Sequence, residues 1–416
     1  MCKFPIGNTD FKEIQTNGFV YIDKTKYIEL LENSNNKAIR FLRPRGFGKS
    51  LFVSMLECYY DLNMKGEFDE LFKGTYIYEH PTKKRNQYYV LKFNFSGVGG
   101  NYKDSAYKAF KRKVINGLKE FNHHYHFDIP IIEEESASGM LSSFLVDSVA
   151  YIGNKKIYVV IDEYDQYAND LLSFSFDEFS KATRSDGFIR AFYEELKVGT
   201  EKVIYQIFIT GVSPITLDSM TSGFNISSNL SLDPRFNEMM GFTTEEMQYL
   251  ISLVDTHEPP EETLNKMKDY YNGYRFSEAA IQHVYNPNMA LYYLDHMQLF
   301  HEEPKSLIDP NIYSDYDKIK NLLNIKPNQE QSDALLEIIT EGKIACRLTL
   351  SYNLQKDFTK HDFISLLFYL GYLTIQGNDY DDIIYKVPND VIRMIYFEYF
   401  NEMLKQNYEV YTDDFV

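Results

Sequence analysis

Four short runs of almost uninterrupted apolar residues, Ala38–Leu42, Tyr88–Phe95, Ile157–Ile161 and Val203–Ile209, set the tightest limit on what this chain can fold into. A strand with one wet face alternates apolar and polar residues, whereas a continuous run needs cover on both faces, as in a parallel sheet between helices. Helical patterns separate the runs: Ser50–Tyr60 after the first, Tyr102–Phe121 after the second, Ser142–Tyr151 before the third and Gly187–Val198 before the fourth. This alternation predicts a three-layer α/β domain, a mostly parallel sheet between helices, over residues 1–240.

The pattern then changes. Thr243-Thr244-Glu245-Glu246 reads as a helix start with acidic residues in the first turn, and helical segments fill 241–300 as a candidate lid. A polar stretch over 301–331 reads as a linker or irregular segment. Residues 332–416 end in the order helix, two short strands, helix, which predicts a winged-helix-like domain. There Thr359 caps Lys360–Leu370 and Gly371 stops it, the strands Leu373–Gln376 and Ile383–Val387 flank a turn at Gly377-Asn378-Asp379, and Asn389 caps a last helix through Phe400.

Composition excludes several classes. With 44% apolar and 25% charged residues among 416, the chain is neither disordered, collagen-like nor a coiled-coil rod. The formal charge of −17 repels phosphate backbones, so nucleic acid is not an expected partner except through a local patch. Three scattered cysteines (Cys2, Cys58, Cys346) form neither a disulfide framework nor a zinc-ribbon spacing and suit a reducing, cytoplasmic setting. The opening residues carry no apolar h-region, and no run reaches the ~18 apolar residues of a membrane span. The 35 Tyr and 31 Phe follow helical and strand periods, so they read as core rather than as base-stacking platforms.

The first run leads directly into Arg43-Pro44-Arg45-Gly46-Phe47-Gly48-Lys49-Ser50-Leu51 and a helix, the context of a phosphate-binding (Walker A) loop. Amides at a helix start point at an anion, and the helix dipole favours negative charge there. Gly48 permits close approach, Lys49 would reach the β- and γ-phosphates, and the Ser50 hydroxyl would ligate Mg²⁺. Arg43 stands where the usual pattern opens with Gly. The third run delivers Asp162 and Glu163 to its carboxyl end, a Walker B-like pair. One carboxylate there can hold Mg²⁺ while the next polarises a water. The fourth run ends in Thr210, the place of a polar γ-phosphate sensor in P-loop ATPases with an extra strand between the two motifs.

The segments PIGNTDFKEI, YIDKTKYI, FLRPRGFGKSLFVSML, VVIDEYDQY, FITGVSPIT, GFTTEEM and YYNGYRFS, in this order, resemble the bacterial AAA-ATPase-like family, and the likeness extends to LLFYLGYLTI. An Arg-Pro-Arg loop is usual in that family, although Gly46 stands where Arg is more typical. The resemblance implies ATP and Mg²⁺ as cofactors, Asp162 and Glu163 as the metal and water-activating pair, and an adenine near the opening segment to Asp23–Lys24. Longer members carry a PD-(D/E)XK nuclease-like domain. The 16 residues after Phe400 hold no strand-borne Asp followed by a Glu-x-Lys strand, so no nuclease activity is expected.

Weaker constellations are Arg275, which could reach a nucleotide from the helical region, and Arg184 and Arg190 as arginines acting in trans, for which surface ion pairs are the plainer reading. His123, His124 and His126 beside Glu133–Glu135 read as solvated rather than metal-binding. Lys83-Lys84-Arg85 and Lys111-Arg112-Lys113 read as solvated faces. The expected function is Mg-dependent ATP hydrolysis driving a regulatory switch, with a protein partner or self-association. The alternatives are a nucleotide-dependent interaction module with little turnover and a winged-helix nucleic-acid reader. The apolar helix Asp362–Tyr372 lacks Arg and Lys, which speaks against the last.

Overall fold

The computed structural model describes residues 2–97, 106–166, 187–214, 224–309, 329–350, 352 and 359–408. The apolar runs form strands β1 (Ala38–Leu42), β2 (Tyr88–Asn94), β3 (Lys156–Asp162) and β4 (Ile204–Gly211). A fifth, β5 (Ser227–Asn229), completes a sheet of order β2-β3-β4-β1-β5 in which every pairing is parallel. All carboxyl ends therefore share one edge, with Asn94 beside Asp162 and Leu42 beside Gly211. β5 had no sequence signal, because Ser-Ser-Asn is polar and only its backbone pairs with the outer side of β1.

The interior of β3 is buried from Ile157 to Asp162, as a sheet covered on both faces requires. Each fully buried Ile or Val there contributes about 1.5–3 kcal/mol of hydrophobic stabilisation. The Lys49–Tyr60 helix touches β2, β3 and β4. The helices Ala106–Tyr125 and Phe188–Lys202 cover β2 and β4, with Ala137–Ile152 packed on the latter helix. The third of these starts earlier than its sequence pattern suggests, because Ser136 accepts from the Gly139 amide and caps it. The tyrosines lie where core packing puts them: Tyr60 stacks on Tyr158 at 4.3 Å and Tyr88 on Tyr205 at 4.4 Å.

After the sheet come the helices Thr244–Ser252, Pro260–Tyr271 and Pro287–Phe300, the first opened by a capping box of Thr243 and Glu246. Their apolar faces form a second core that also takes in Phe4 from the chain's start and Val391 from near its end. The last region joins the helices Gln329–Glu341, Lys360–Leu370 and Asp390–Tyr408 to an antiparallel sheet of β6 (Lys343–Cys346), β7 (Thr374–Asp379) and β8 (Asp382–Lys386), ordered β6-β8-β7. Thr359 and Gly371 bound the middle helix, and Asn389 accepts from the Ile392 amide at the start of the last. The β7–β8 turn lies later than the sequence suggests. Asn378 and Asp379 stay paired in the ladder past an irregularity at Ile375/Gly377, and Tyr380, at φ +54°, makes the reversal. Leu367, Phe368 and Tyr372 of this region belong to the same apolar core as the parallel sheet. No helix among the described residues is long and apolar enough to cross a membrane.

Candidate nucleotide site

The loop between β1 and its helix starts inside the sheet: the Arg43 amide donates to the Gly211 carbonyl at 3.1 Å, extending the β1–β4 ladder by one bond. Two glycines then take the left-handed backbone that side chains disfavour, Gly46 at φ +80° and Gly48 at φ +86°, and the helix begins at Lys49. Lys49 is buried and folds back on the loop, its Nζ donating to the carbonyls of Arg43 (2.9 Å) and Pro44 (3.0 Å). Burial pushes its pKa down to about 8, against the opposing pull of Glu163, Asp162 and Asp165.

The loop is gripped from outside. Asn286 caps the Pro287–Phe300 helix and donates its amide to the Arg45 carbonyl at 3.1 Å, while the Asn288 amide donates to the Gly46 carbonyl at 3.1 Å. A Cβ on Gly46 would lie 2.6 Å from the Asn286 Oδ1, so only glycine lets the two meet. On the other side Phe47 is buried edge-on between Tyr274 and Phe276, at 5.0 and 5.3 Å, and Pro44 lies against Gly371. Asn286 was missed in the sequence. Its signal was the Asn-Pro pair, a helix cap followed by proline in the first turn.

At the end of β3 the Asp162 carboxylate is buried and its Oδ1 accepts from the Thr210 hydroxyl at 2.6 Å and the Glu163 amide at 3.1 Å. Glu163 adopts φ +52°, an uncommon conformation for a side-chain-bearing residue, which ends the strand sharply. Burial, then the neighbouring Asp162, raises the Glu163 pKa, while Lys49 and Arg45 pull it down. Arg45 donates to the Gln166 side chain at 2.7 Å, tying the loop to this turn.

Arg45 through Phe52 and Glu163 line one cavity of about 510 Å³, together with Pro5, Thr9, Tyr21 and Lys24 of the opening segment and Met239–Phe242. The lining also includes Val20, Ile22, Met239 and Met240, apolar surface of the kind a flat base needs, and Lys24 in the same lining is held between the Glu246 carboxylate (2.6 Å) and the Glu238 carbonyl. The volume, the loop amides and Lys49 suit a nucleotide. The oxygens of Ser50 and Asp162 suit a hard cation such as Mg²⁺.

Three expected ligands lie elsewhere. Arg43 is 1% exposed, and its guanidinium donates to the carbonyls of Leu42 (2.9 Å), Ser231 (2.8 Å) and Phe236 (3.0 Å). It lies over the rings of Phe41 and Phe276, at 4.3 and 4.0 Å, so its side chain belongs to the core behind the loop. Arg275 is also turned away: it clasps β7 through the Ile375 carbonyl (3.0 Å) and that of Gln376, while its amide donates to Thr374 Oγ1 (2.7 Å). Spacing could not show either direction, because both partners come from distant segments. Pro44 contributes its carbonyl to Lys49 and does not line the cavity.

Arg190 pairs with Glu194 one helical turn on, and Arg184 lies outside the described residues. His124 pairs with Asp61 at 2.6 Å, which raises its pKa. Among the described residues no group of three or more His, Cys, Asp or Glu is placed to hold a metal ion.

A parallel sheet with a glycine-rich loop after β1, an acidic pair after β3 and a strand between them defines a nucleotide-binding P-loop protein. Residues 5–221 match the family model described as "Predicted AAA-ATPase", and the chain belongs to that family. It is also similar to a curated "Uncharacterized protein in vnfD 5′region" of Azotobacter chroococcum mcd 1, 27% identical over 288 residues, or 68% of this chain and 50% of that one. The chain thus spans about half the length of the curated relative it matches.

Nucleotide binding is expected to depend on pH through Lys49. Phosphate oxygens replacing two neutral carbonyls would favour its charged form, so its pKa rises from about 8 on binding. Binding then takes up a proton above pH ~8, and affinity falls as pH rises further. Calorimetry with a non-hydrolysable ATP analogue at pH ~8.5, in two buffers of different ionisation enthalpy, should show that uptake, and Lys49→Met should abolish it.

Proposed function

We propose that the protein binds ATP with Mg²⁺ in this cavity and hydrolyses it, and that hydrolysis switches the packing of the helical and C-terminal regions against the loop. One observation carries the reading: the Lys49 loop and Glu163 line a single cavity of about 510 Å³, with Asp162 and Thr210 bonded to each other behind it. Lys49, Gly48 and the first helical amides would orient the triphosphate, and Ser50 and Asp162 would hold Mg²⁺. The metal, when bound, supplies charge neutralisation on the β- and γ-phosphate oxygens. Glu163 would take a proton from the attacking water, and Thr210 would orient the γ-phosphate through its place beside Asp162. A switch is supported by the loop's outside contacts, because Asn286, Tyr274 and Gly371 would feel any movement of the loop backbone.

We read residues 332–416 as winged-helix-like, 241–300 as a lid and 301–331 as a linker, and we place the protein in the cytoplasm. The helix Lys360–Leu370 buries Phe363 through Tyr369, so it serves packing or a protein partner rather than a DNA groove. Calorimetry with a non-hydrolysable ATP analogue and Mg²⁺ tests the assignment. Binding to the wild type should weaken at least ~10-fold in Lys49→Ala, which loses the buried ammonium of the loop. Equal affinities would overturn the site.

A further inference from the structure

Asp165 is a buried carboxylate outside the pair that the proposed chemistry uses, and it joins the two strands that frame that pair. Its oxygens accept from the Val212 amide at 3.0 and 3.1 Å, the Ser213 amide at 2.7 Å and the Ser213 hydroxyl at 3.2 Å. The Tyr164 hydroxyl adds a short bond to the Ser213 carbonyl, and the Tyr164 amide donates to the Thr210 carbonyl at 3.0 Å. Gly211 makes this closeness possible: a Cβ there would lie 2.3 Å from the Asp165 Oδ1 and 2.4 Å from the Tyr164 ring. The turn after β3 is thus stapled to the end of β4 on both sides of Glu163, by Asp162 to Thr210 before it and by Asp165 to Val212 and Ser213 after it.

Glu163 sits between those two staples at φ +52°, a backbone conformation that persists only where its surroundings over-determine it. Before it, its own amide is bound to Asp162; after it, Tyr164 and Asp165 are bound to residues 210–213. Relaxation of residue 163 to an ordinary negative φ would swing its carboxylate out of the cavity and pull the Asp165 staple apart. We propose that Asp165 is a positioning residue, holding the Glu163 carboxylate in the one arrangement that serves water attack on a nucleoside triphosphate. This rests on the reading that Glu163 activates the water.

Such a residue acts mainly on turnover, since the Lys49 Nζ is bonded to the Arg43 and Pro44 carbonyls and the loop carbonyls are gripped by Asn286 and Asn288. In the full chain, Asp165→Asn should lower kcat about 10-fold and Asp165→Ala about 100-fold, with KM for ATP and affinity for a non-hydrolysable analogue within about twofold of wild type. Asn keeps an acceptor for Val212 but opposes the Ser213 amide with an NH₂, hence its smaller defect. A mutant cycle separates positioning from mere support of the fold. With Glu163→Gln already present, Asp165→Asn should cause no further fall in kcat, because there is no base left to position. If the two losses multiply, or if Asp165→Asn turns over like wild type, or if KM rises with kcat unchanged, the proposal is overturned. Wild-type protein without measurable turnover, or with turnover that Glu163→Gln leaves intact, would instead overturn the ATPase reading on which it rests. Should Asp165→Ala not fold, Asp165→Asn and its combination with Glu163→Gln decide the matter alone.

Discussion

Glu163→Gln is expected to bind Mg·ATP as the wild type does and to release phosphate at least ~10²-fold more slowly. Gln keeps the shape and the amide bond to Asp162 Oδ1 but cannot accept a proton at neutral pH. Burial and the adjacent Asp162 raise the Glu163 pKa above its ordinary value, which makes the ionised carboxylate a stronger base. The same shift sets the sign of the pH dependence: turnover is full where Glu163 is ionised and fades as pH falls through its raised pKa. The acid limb of the kcat profile should therefore lie above the ordinary glutamate range and vanish in the Gln variant. Asp162→Asn should fail differently. Its Oδ1 holds Thr210 in place, and its charge would serve the metal, so the defect should include a higher Mg²⁺ requirement. Steady-state phosphate release across Mg²⁺ concentrations distinguishes the two. Wild type and Glu163→Gln sharing one low rate, with any activating partner present, would favour the non-hydrolysing interaction module.

Arg43→Ala is expected to cost about 3–5 kcal/mol of folding stability while leaving nucleotide affinity in the folded fraction nearly unchanged. The guanidinium supplies a donor to each of the Leu42, Ser231 and Phe236 carbonyls and fills the space between two aromatic rings. Its removal leaves acceptors unpaired and a cavity behind the loop. Burial pulls the Arg43 pKa down to about 9, so it remains a cation at neutral pH, stabilised by carbonyl dipoles and ring faces rather than by a carboxylate. Denaturant unfolding measures the cost, and calorimetry on the folded variant measures the affinity. A variant of wild-type stability that no longer binds nucleotide would make the guanidinium a ligand after all.

The sequence alone sufficed for whatever depends on neighbours along the chain. The near-continuous runs locate four strands because a strand buried on both faces has no place for polar side chains. The loop from Gly46 to Ser50 was legible because left-handed glycines and a helix start are local requirements. Asp162 and Glu163 were legible because they directly follow a buried strand whose end must lie at the ligand edge of such a sheet. The caps Thr243, Thr359 and Gly371 follow from backbone bonds within three or four residues.

What remained hidden depends on segments that meet only in space. Arg43 sits in the phosphate-loop motif, yet it points to carbonyls from near residues 231 and 236, contacts that its spacing from Lys49 does not encode. Arg275 turns to β7, a hundred residues on, because the Ile375 and Gln376 carbonyls there take its guanidinium and the Thr374 hydroxyl takes its amide, partners that solvent-facing phosphate chemistry would have to displace. β5 is invisible for the opposite reason: its pairing uses backbone groups that every residue carries. The Asn286 grip on the loop and the Asp165 staple also join distant stretches, each at a glycine whose missing Cβ admits the partner. The tertiary structure decided these points, because a side chain's direction is set by which distant donors and acceptors the packed sheet brings within hydrogen-bond reach.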